Sequence, residues 1–212
     1  MLIEPTVTRS VEEAALQGPF DYILVTLKAL PDVYDIAEII APAVISKETT
    51  IVLIQNGLGV EAPIVERFPE NPLISIVAYI GTSQDKPGYT RHLSGEKLRV
   101  GILDTKSEHA AKQFMDLLRR GDVSVEYVDS IEEARWEKLF WNGGFGPVCA
   151  ILRLNTSEAI RNSKARDIVK KLMMELMTAA EVATGVLHNP KDLSEAMIEN
   201  TARWQNNYKP SM

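Results

Sequence analysis

The sequence predicts an α/β protein in which a partial doubly wound sheet, lacking its first βαβ unit, is followed by an all-α domain. We infer the sheet from short apolar runs that alternate with amphipathic stretches over about the first 80 residues. Beyond Asp129 only helical patterns follow, which indicates a second, helical domain. No G-x-G-x-x-G turn follows any predicted strand, so the opening unit of the sheet is missing. We therefore divide the chain into domains 1–129 and 130–212.

The first domain begins with a short predicted strand and a helix over Val11–Gln17, which Gly18-Pro19 ends. Tyr22–Leu27 is a continuous apolar run, typical of a strand buried on both faces of a parallel sheet. The remaining strands are predicted at Thr50–Ile54, Leu73–Ile80, Tyr89–Leu93, Lys97–Leu103 and Val123–Val128. Helices are predicted over about Asp32–Ile45, Val60–Arg67 and Ser107–Arg119.

The second domain consists of predicted helices over about 131–142, 145–153, 157–161, 164–184 and 191–207. Its glycine cluster, Gly143-Gly144-x-Gly146, is not a dinucleotide-binding turn, because it follows a helix and precedes Pro147. Met173 and Met177 belong to a methionine cluster that we interpret as core packing.

Composition excludes several classes of function. The chain has 23 basic and 29 acidic residues and no long basic run, so we expect no nucleic-acid partner. It has no apolar run of the roughly 20 residues that cross a bilayer, so we expect no membrane span. Its three histidines are scattered, and we expect no metal site. The single cysteine, Cys149, suits a reducing compartment, and we expect a cytoplasmic protein.

Two predicted loops lie where an open α/β sheet binds its ligands, outside the carboxyl ends of the strands. In the first, Lys28 leaves a strand and can meet a phosphate or a carboxylate as a point charge. In the second, Gln55-Asn56-Gly57-Leu58-Gly59, the glycines let the backbone approach a ligand and Asn56 can hydrogen-bond it. The alternatives are a solvated surface lysine and an ordinary Asn-Gly turn.

The stretch Trp136–Asn142 lies at the junction of the two predicted domains. On a helix, Lys138 and Asn142 are four residues apart and share one face. The lysine can donate a proton, and the amide can both donate and accept hydrogen bonds. This pair indicates a reaction at a carbonyl, and the alternative is an ordinary amphipathic helix with a solvated lysine.

Four segments taken together resemble the ketopantoate reductase family: Thr26–Leu30, Ile54–Gly59, Trp136–Leu139 with Asn142, and Tyr208–Met212. The resemblance covers essentially the whole chain. It implies a Rossmann-like NADP-binding domain followed by a helical domain for substrate binding and dimerisation. The implied activity is the NADPH-dependent reduction of 2-dehydropantoate, a small keto acid, to pantoate on the route to pantothenate and coenzyme A.

The resemblance also assigns roles to five residues. Lys138 matches the family's general acid, Lys28 and Asn56 match positions at the cofactor, and Asn142 and Ser211 match residues that contact substrate. The sequence departs from the family by lacking the glycine motif, by ending before the substrate-binding Glu, and by carrying Gly146 where many members have Asn. We therefore expect little or no reductase activity from this chain alone.

Two other functions stay open at this point. One is a non-catalytic interaction module of the same fold, for which a homodimer is one arrangement, because a truncated sheet exposes an edge strand that can pair with another chain. The other is a dehydrogenase of a different 2-keto acid, or an opine-type dehydrogenase, with a similar helical domain.

Overall fold

The computed structural model of the chain describes residues 4–92, 95–203 and 208–209. They fall into two compact units, Met1–Ile131 and Glu132–Met212, which we call the sheet unit and the helical unit. The predicted division followed residue 129, and the observed one follows residue 131.

A five-stranded mixed sheet forms the centre of the sheet unit. Its strands are β1 (Tyr22–Val25), β2 (Thr50–Ile54), β3 (Leu73–Tyr79), β6 (Lys97–Ile102) and β7 (Val125–Tyr127), in the spatial order β1-β2-β3-β6-β7. The first three strands are parallel, β6 runs antiparallel to β3, and β7 runs parallel to β6. The predicted α/β class is confirmed, and β2 has the predicted bounds.

Strand β1 corrects one expectation. Only β2 pairs with it among the described residues, so β1 lies at the edge of the sheet. Leu24, in the middle of the strand, is 53% exposed, whereas the sequence predicted burial on both faces. An apolar run in the sequence predicts a strand, but it does not show whether other elements cover both faces of that strand.

Helices cover the two faces of the sheet. On one face, α2 (Ile36–Ile40) and α3 (Ala62–Arg67) pack against Val25, Ile51 and Leu53. On the other face, α4 (Glu108–Arg120) packs against Val52, Ile74 and Val100. Helix α2 is shorter than predicted: Asp35 caps its start, and a 3₁₀ turn that contains Pro42 follows it.

The ends of the sheet unit differ from the prediction in two further places. Residues 4–8 form no strand, and the first helix, α1, covers Val11–Ala15. A polar strand that the sequence did not predict, β4 (Thr82–Lys86), pairs with β5 (Tyr89–His92) in a separate hairpin. Pro87-Gly88 forms its turn, with Gly88 at φ +80°.

In the described part of the helical unit there are four helices: α5 (Ile131–Leu152), α6 (Thr156–Arg161), α7 (Ser163–Thr184) and α8 (Pro190–Arg203). Their shared core contains Phe140, Phe145, Val169, Met173, Met177 and Ile198. The core role predicted for the methionine cluster is confirmed, because Met173 and Met177 are fully buried.

Helix α5 is continuous through the glycine cluster, whereas the sequence predicted two helices broken at residues 143–144. A Cβ atom on Gly144 would lie 2.6 Å from Cγ of Met173, and one on Gly143 would lie 2.6 Å from Cδ1 of Leu176. The two glycines therefore allow α7 to approach α5 closely. This packing keeps the helix intact across residues that are weak helix formers alone.

Candidate functional site

The two predicted loops of the sheet unit lie side by side. They follow the carboxyl ends of β1 and β2, which are adjacent parallel strands. The Gln55 side chain joins them, since its Nε2 donates a hydrogen bond of 2.6 Å to the Leu27 carbonyl oxygen. Gln55 is only 5% exposed, so this bond is shielded from water and fixes one loop against the other.

The loop that carries Asn56 is held at its far end as well. Glu61 is 6% exposed, and its Oε1 accepts a hydrogen bond of 2.6 Å from the hydroxyl of Ser75, which is buried in β3. Asn56 lies exposed between the two anchors. Buried polar side chains thus fix a loop whose own middle residue is open to a ligand.

The conformation of this loop suits contact with part of a dinucleotide. Gly57 has φ +115° and Gly59 has φ +67°, in the region that favours glycine, and the space where a Cβ atom of Gly59 would lie is open. Exposed backbone and the Asn56 amide can therefore meet a polar cofactor group. A glycine-rich cradle for the pyrophosphate is absent from the sequence. These residues fit one part of such a cofactor.

Lys28 lies exposed in the loop after β1. Its backbone carbonyl accepts a hydrogen bond from the Tyr34 hydroxyl, which anchors the loop from the side of α2. The ammonium group stays in water, where it acts as a mobile positive charge. The predicted position at the carboxyl edge of the sheet is confirmed, and its role in cofactor binding stays a prediction.

In the helical unit, Lys138 lies half-buried on α5. Burial lowers the pKa of Lys138 from its usual value of 10.5 to about 8. A lysine with a pKa near 8 holds a proton at neutral pH and releases it far more readily than a solvated lysine does. That is the property required of a general acid.

Asn142 lies one turn after Lys138 on the same face of α5, and it too is half-buried. Within the described ranges, no protein group hydrogen-bonds its side-chain amide, so the amide is available to a ligand. The predicted helix and the shared face are confirmed. A proton donor and an amide can therefore act together on one carbonyl or hydroxyl group.

Ser211, the remaining predicted contact, lies outside the described residues. Cys149 is buried, and burial raises the pKa of its thiol, which agrees with the structural role of a packed side chain. In the described parts of the chain, no cluster of His, Cys, Asp and Glu has the arrangement of a metal site. The helices of those parts are also too short or too polar to cross a bilayer.

The sequence predicted no role for Gln55 and Glu61, which anchor the loop that carries Asn56. Gln55 carried a signal, because it is a polar residue directly after the buried apolar strand β2, whereas Glu61 carried none.

Comparison with known sequence families gives two matches. The family described as "Ketopantoate reductase PanE/ApbA" matches residues 3–105, and "Ketopantoate reductase PanE/ApbA C terminal" matches residues 130–212. Together the two matches cover most of both units.

Individual relatives agree with the family matches. A 2-dehydropantoate 2-reductase of Streptococcus pyogenes serotype M6 is 27% identical over 170 residues, which cover 80% of this chain and 54% of that protein. The crystal structure of a 2-dehydropantoate 2-reductase from Geobacter metallireducens GS-15 superposes with a TM-score of 0.83 at 28% identity. That match covers 97% of this chain and 66% of the other. The chain thus spans about half the length of the curated relatives it matches.

Two more distant structures share the fold at 22% identity. A D-mandelate dehydrogenase solved with NADH and anilino(oxo)acetate has a TM-score of 0.80, with 91% of this chain and 62% of that chain covered. A dimeric ketopantoate reductase from Staphylococcus aureus has a TM-score of 0.69, with 91% and 61% covered.

Proposed function

Because the chain belongs to the ketopantoate reductase family, we propose that it carries the residues for NADPH-dependent reduction of 2-dehydropantoate to pantoate. The observation that supports this best is the half-buried Lys138, whose pKa of about 8 suits a proton donor, one turn from the Asn142 amide. Pantoate formed in this way would enter the route to pantothenate and coenzyme A, in the cytoplasm.

The reaction needs an acid at the ketone oxygen. When hydride adds to the carbonyl carbon, negative charge develops on the oxygen, and a nearby cation or proton donor stabilises it. The Lys138 ammonium donates its proton to that oxygen, which becomes the hydroxyl of the product, and the lysine regains a proton from water. A bound reduced nicotinamide dinucleotide would supply the hydride.

Contacts to the cofactor fall to the sheet unit. The Asn56 amide and the exposed backbone of residues 56–59 would contact polar groups of the dinucleotide, and Lys28 would face a phosphate. Nicotinamide chemistry agrees with the distant relative that was solved with NADH. We also propose a preference for NADPH over NADH, because the exposed positive charge of Lys28 can pair with the 2′-phosphate that only NADPH carries.

Contacts to the substrate fall to the helical unit. The Asn142 amide would hydrogen-bond the keto acid beside the oxygen that Lys138 protonates, and Ser211 would add a hydroxyl contact. The D-mandelate dehydrogenase that shares the fold was solved with anilino(oxo)acetate, an oxamate that carries a carbonyl group next to a carboxylate, as a 2-keto acid does. By analogy with the dimeric ketopantoate reductase of Staphylococcus aureus, we also propose a homodimer.

Substitutions at Lys138 test the proposed reaction directly. The assay follows NADPH oxidation with 2-dehydropantoate, on a version of the chain extended upstream by a glycine-rich dinucleotide-binding unit. Lys138→Ala should lower turnover by about 10²–10⁴-fold, the usual contribution of a general acid, while NADPH affinity stays the same. Lys138→Arg should be nearly as slow, because an arginine keeps the charge but does not release a proton near neutral pH.

The matched control is Lys164→Ala, which removes an exposed lysine from α7 of the same unit. It should keep normal turnover. Near-normal turnover in Lys138→Ala would remove Lys138 from the mechanism. Normal turnover in Lys138→Arg alone would reduce its role to that of a fixed charge.

A calorimetric titration with NADPH tests the expectation for the chain alone. Because the sequence has no G-x-G-x-x-G turn, NADPH should bind the chain weakly and bind the extended version much more tightly. Tight binding by the 212 residues, with rapid oxidation of NADPH by 2-dehydropantoate, would contradict that expectation.

A further inference from the structure

A cavity of about 370 Å³ lies in the sheet unit, at the amino ends of β1 and β2. Its floor contains Tyr22 and Thr50, the first residues of these strands, which are register partners. Its wall comes from the second half of α4 and includes Leu117 and Arg120. Pockets that bind small molecules have volumes of about 300–1,000 Å³, so the cavity can hold one. The proposed cofactor loops follow the carboxyl ends of the same strands, so this cavity is a separate place.

Thr50 is the buried polar residue of the cavity floor, at 5% exposed. Two residues later on β2, Val52 belongs to the same core cluster as Phe114 of α4. Alternate residues of a strand face the same side, so the Thr50 side chain points toward α4 and into the cavity. Within the described parts of the chain, no group hydrogen-bonds its hydroxyl. A buried hydroxyl without a partner costs free energy, and a ligand in the cavity supplies that partner.

Tyr22 gives the floor both an apolar surface and a second hydroxyl. Its ring is held in place by Phe114 of α4, with 5.1 Å between the ring centroids. Burial, followed by the charge of Asp21, raises the pKa of the Tyr22 hydroxyl and keeps it protonated. Leu117 is half exposed and adds an aliphatic surface from α4. The cavity can therefore accept an apolar group beside hydrogen-bonding groups.

Charged side chains of both signs surround this floor without pairing with one another. Asp21 and Glu48 precede the two strands, and Arg120 ends α4. Among the residues that the structure describes, none of these three has an ion-pair partner. The other acid at the cavity, Asp116, is paired with Arg119 at 3.0 Å. Opposite charges that line one cavity without touching can both be satisfied by a ligand that carries a charge at each end.

We propose that this cavity is a binding site for a small zwitterion of the amino-acid class with an apolar side chain. The Arg120 guanidinium binds the ligand carboxylate, which it can do with two parallel hydrogen bonds. The ligand ammonium lies between Asp21 and Glu48, and its side chain packs on Leu117. The Thr50 hydroxyl donates a hydrogen bond to the ligand. None of these residues belongs to the proposed reductase site, so the two sites can be tested separately.

The experiment is an NMR titration of the ¹⁵N-labelled full chain with three probes at millimolar concentrations. L-Leucine carries both charges, L-leucinamide carries only the ammonium, and N-acetyl-L-leucine carries only the carboxylate. L-Leucine should shift the backbone amide resonances of Thr50 and of residues 113–120 until they saturate. Each analogue with a single charge should bind on the order of tenfold more weakly, because it leaves one side of the cavity without its ion pair.

Three substitutions locate the site. Arg120→Gln and Asp21→Asn should each raise the Kd for L-leucine several-fold, because each removes one charge contact. Thr50→Val keeps the branched shape and removes the hydroxyl, and it should raise the Kd by a similar factor. The control is Arg67→Gln, which removes an exposed arginine of α3 on the other face of the sheet and should keep the parent Kd. Arg120 and Asp21 lie at the surface, so these two variants should keep the fold and the spectrum of the parent chain.

Several results would overturn the proposal. A titration in which L-leucine causes no saturating shift would exclude a ligand of this class. L-Leucinamide or N-acetyl-L-leucine binding as tightly as L-leucine would show that the site reads one charge and does not select a zwitterion. A Kd that stays unchanged in both Arg120→Gln and Asp21→Asn would place the bound amino acid elsewhere on the chain. The reduction of 2-dehydropantoate depends on other residues and is not affected by any of these results.

Discussion

The two units present their candidate residues in opposite ways. In the sheet unit, Lys28 and Asn56 are exposed on loops, and buried residues such as Gln55 fix the conformation of these loops. In the helical unit, Lys138 and Asn142 are themselves half-buried, on a helix of 22 residues whose middle packs closely against α7. The sheet unit thus fixes the loop backbone and leaves its candidate side chains in water. The helical unit partly removes its candidate side chains from water.

The difference follows from what each group is proposed to do. A lysine that binds a phosphate acts through the positive charge that it already carries in water, so it can fulfil this role while exposed. A lysine that donates a proton at neutral pH needs a lower pKa, and burial is the cause that lowers it for Lys138. We therefore expect changes in pH to affect the helical unit's role strongly and the sheet unit's role little.

The largest effect should be the pH dependence of reduction. The protonated form of Lys138 is the active one, and its fraction falls above a pKa of about 8. The rate of ketone reduction should therefore fall about tenfold per pH unit above 8, and the reverse oxidation should rise through the same pH. The measurement is the pH profile of kcat in both directions. A reduction rate that stays flat up to pH 10 would show that Lys138 is not the proton donor.

The lowered pKa of Lys138 also predicts how the stability of the fold changes with pH. Between pH 8 and 10.5 the unfolded chain holds a proton on this lysine that the folded chain has lost, so stability should rise with pH over that window. Below pH 8 both states are protonated, and the cost of burying the ammonium is fully present. Urea unfolding at several pH values checks this against Lys138→Met, in which that part of the rise should disappear.

The sequence predicted those parts of the fold that depend on local pattern. Strand β2 is apolar and lies inside the sheet, so pattern and burial agree. Strand β1 is equally apolar but lies at an edge, and only the neighbours of a strand decide that. Strand β4 is polar throughout, so it had no apolar alternation to reveal it.

The candidate site divides in the same way. The spacing of Lys138 and Asn142 predicts one helix face, because helix geometry is local. The contact of Gln55 with Leu27 joins residues far apart in the sequence. No short pattern encodes such contacts, so the sequence could mark Gln55 as unusual but only the structure could show its partner.

A smaller effect should follow from filling the contact between α5 and α7. In Gly144→Ala the new methyl group would overlap Cγ of Met173, at 2.6 Å, so either the Met173 side chain would have to repack or one helix would have to shift. Overpacking a core typically costs about 1–3 kcal/mol, whereas alanine favours the helix over glycine by about 1 kcal/mol, so we expect a net loss of up to about 2 kcal/mol in the free energy of unfolding. Urea unfolding monitored by circular dichroism measures it.

The control for this substitution is Gly95→Ala, because a Cβ atom there meets no other atom within 4 Å. That variant should unfold like the parent chain. If Gly144→Ala proved as stable as Gly95→Ala, the glycines would not be needed for the close approach of the two helices. The continuity of α5 would then require another explanation.

The smallest effect should come from the exposed loops of the sheet unit. Lys28→Ala removes one charge that lies in water, so the free energy of unfolding should change by less than about 0.5 kcal/mol. NADPH affinity should fall several-fold, by about 0.5–1 kcal/mol, because a screened charge contact at a surface contributes no more. Calorimetric titration of the extended version at low salt measures this, and added salt should reduce the difference.

Lys47→Ala is the control, since Lys47 is also exposed but precedes β2 and therefore lies at the opposite, amino end of the strands, where it pairs with Glu70. It should leave NADPH affinity unchanged. Equal losses in the two variants would mean that the cofactor responds only to the overall charge of the unit, and Lys28 would have no specific contact. A loss confined to Lys28→Ala, independent of pH between 6 and 9, would place the charge contact in the sheet unit and the pH dependence in the helical unit alone.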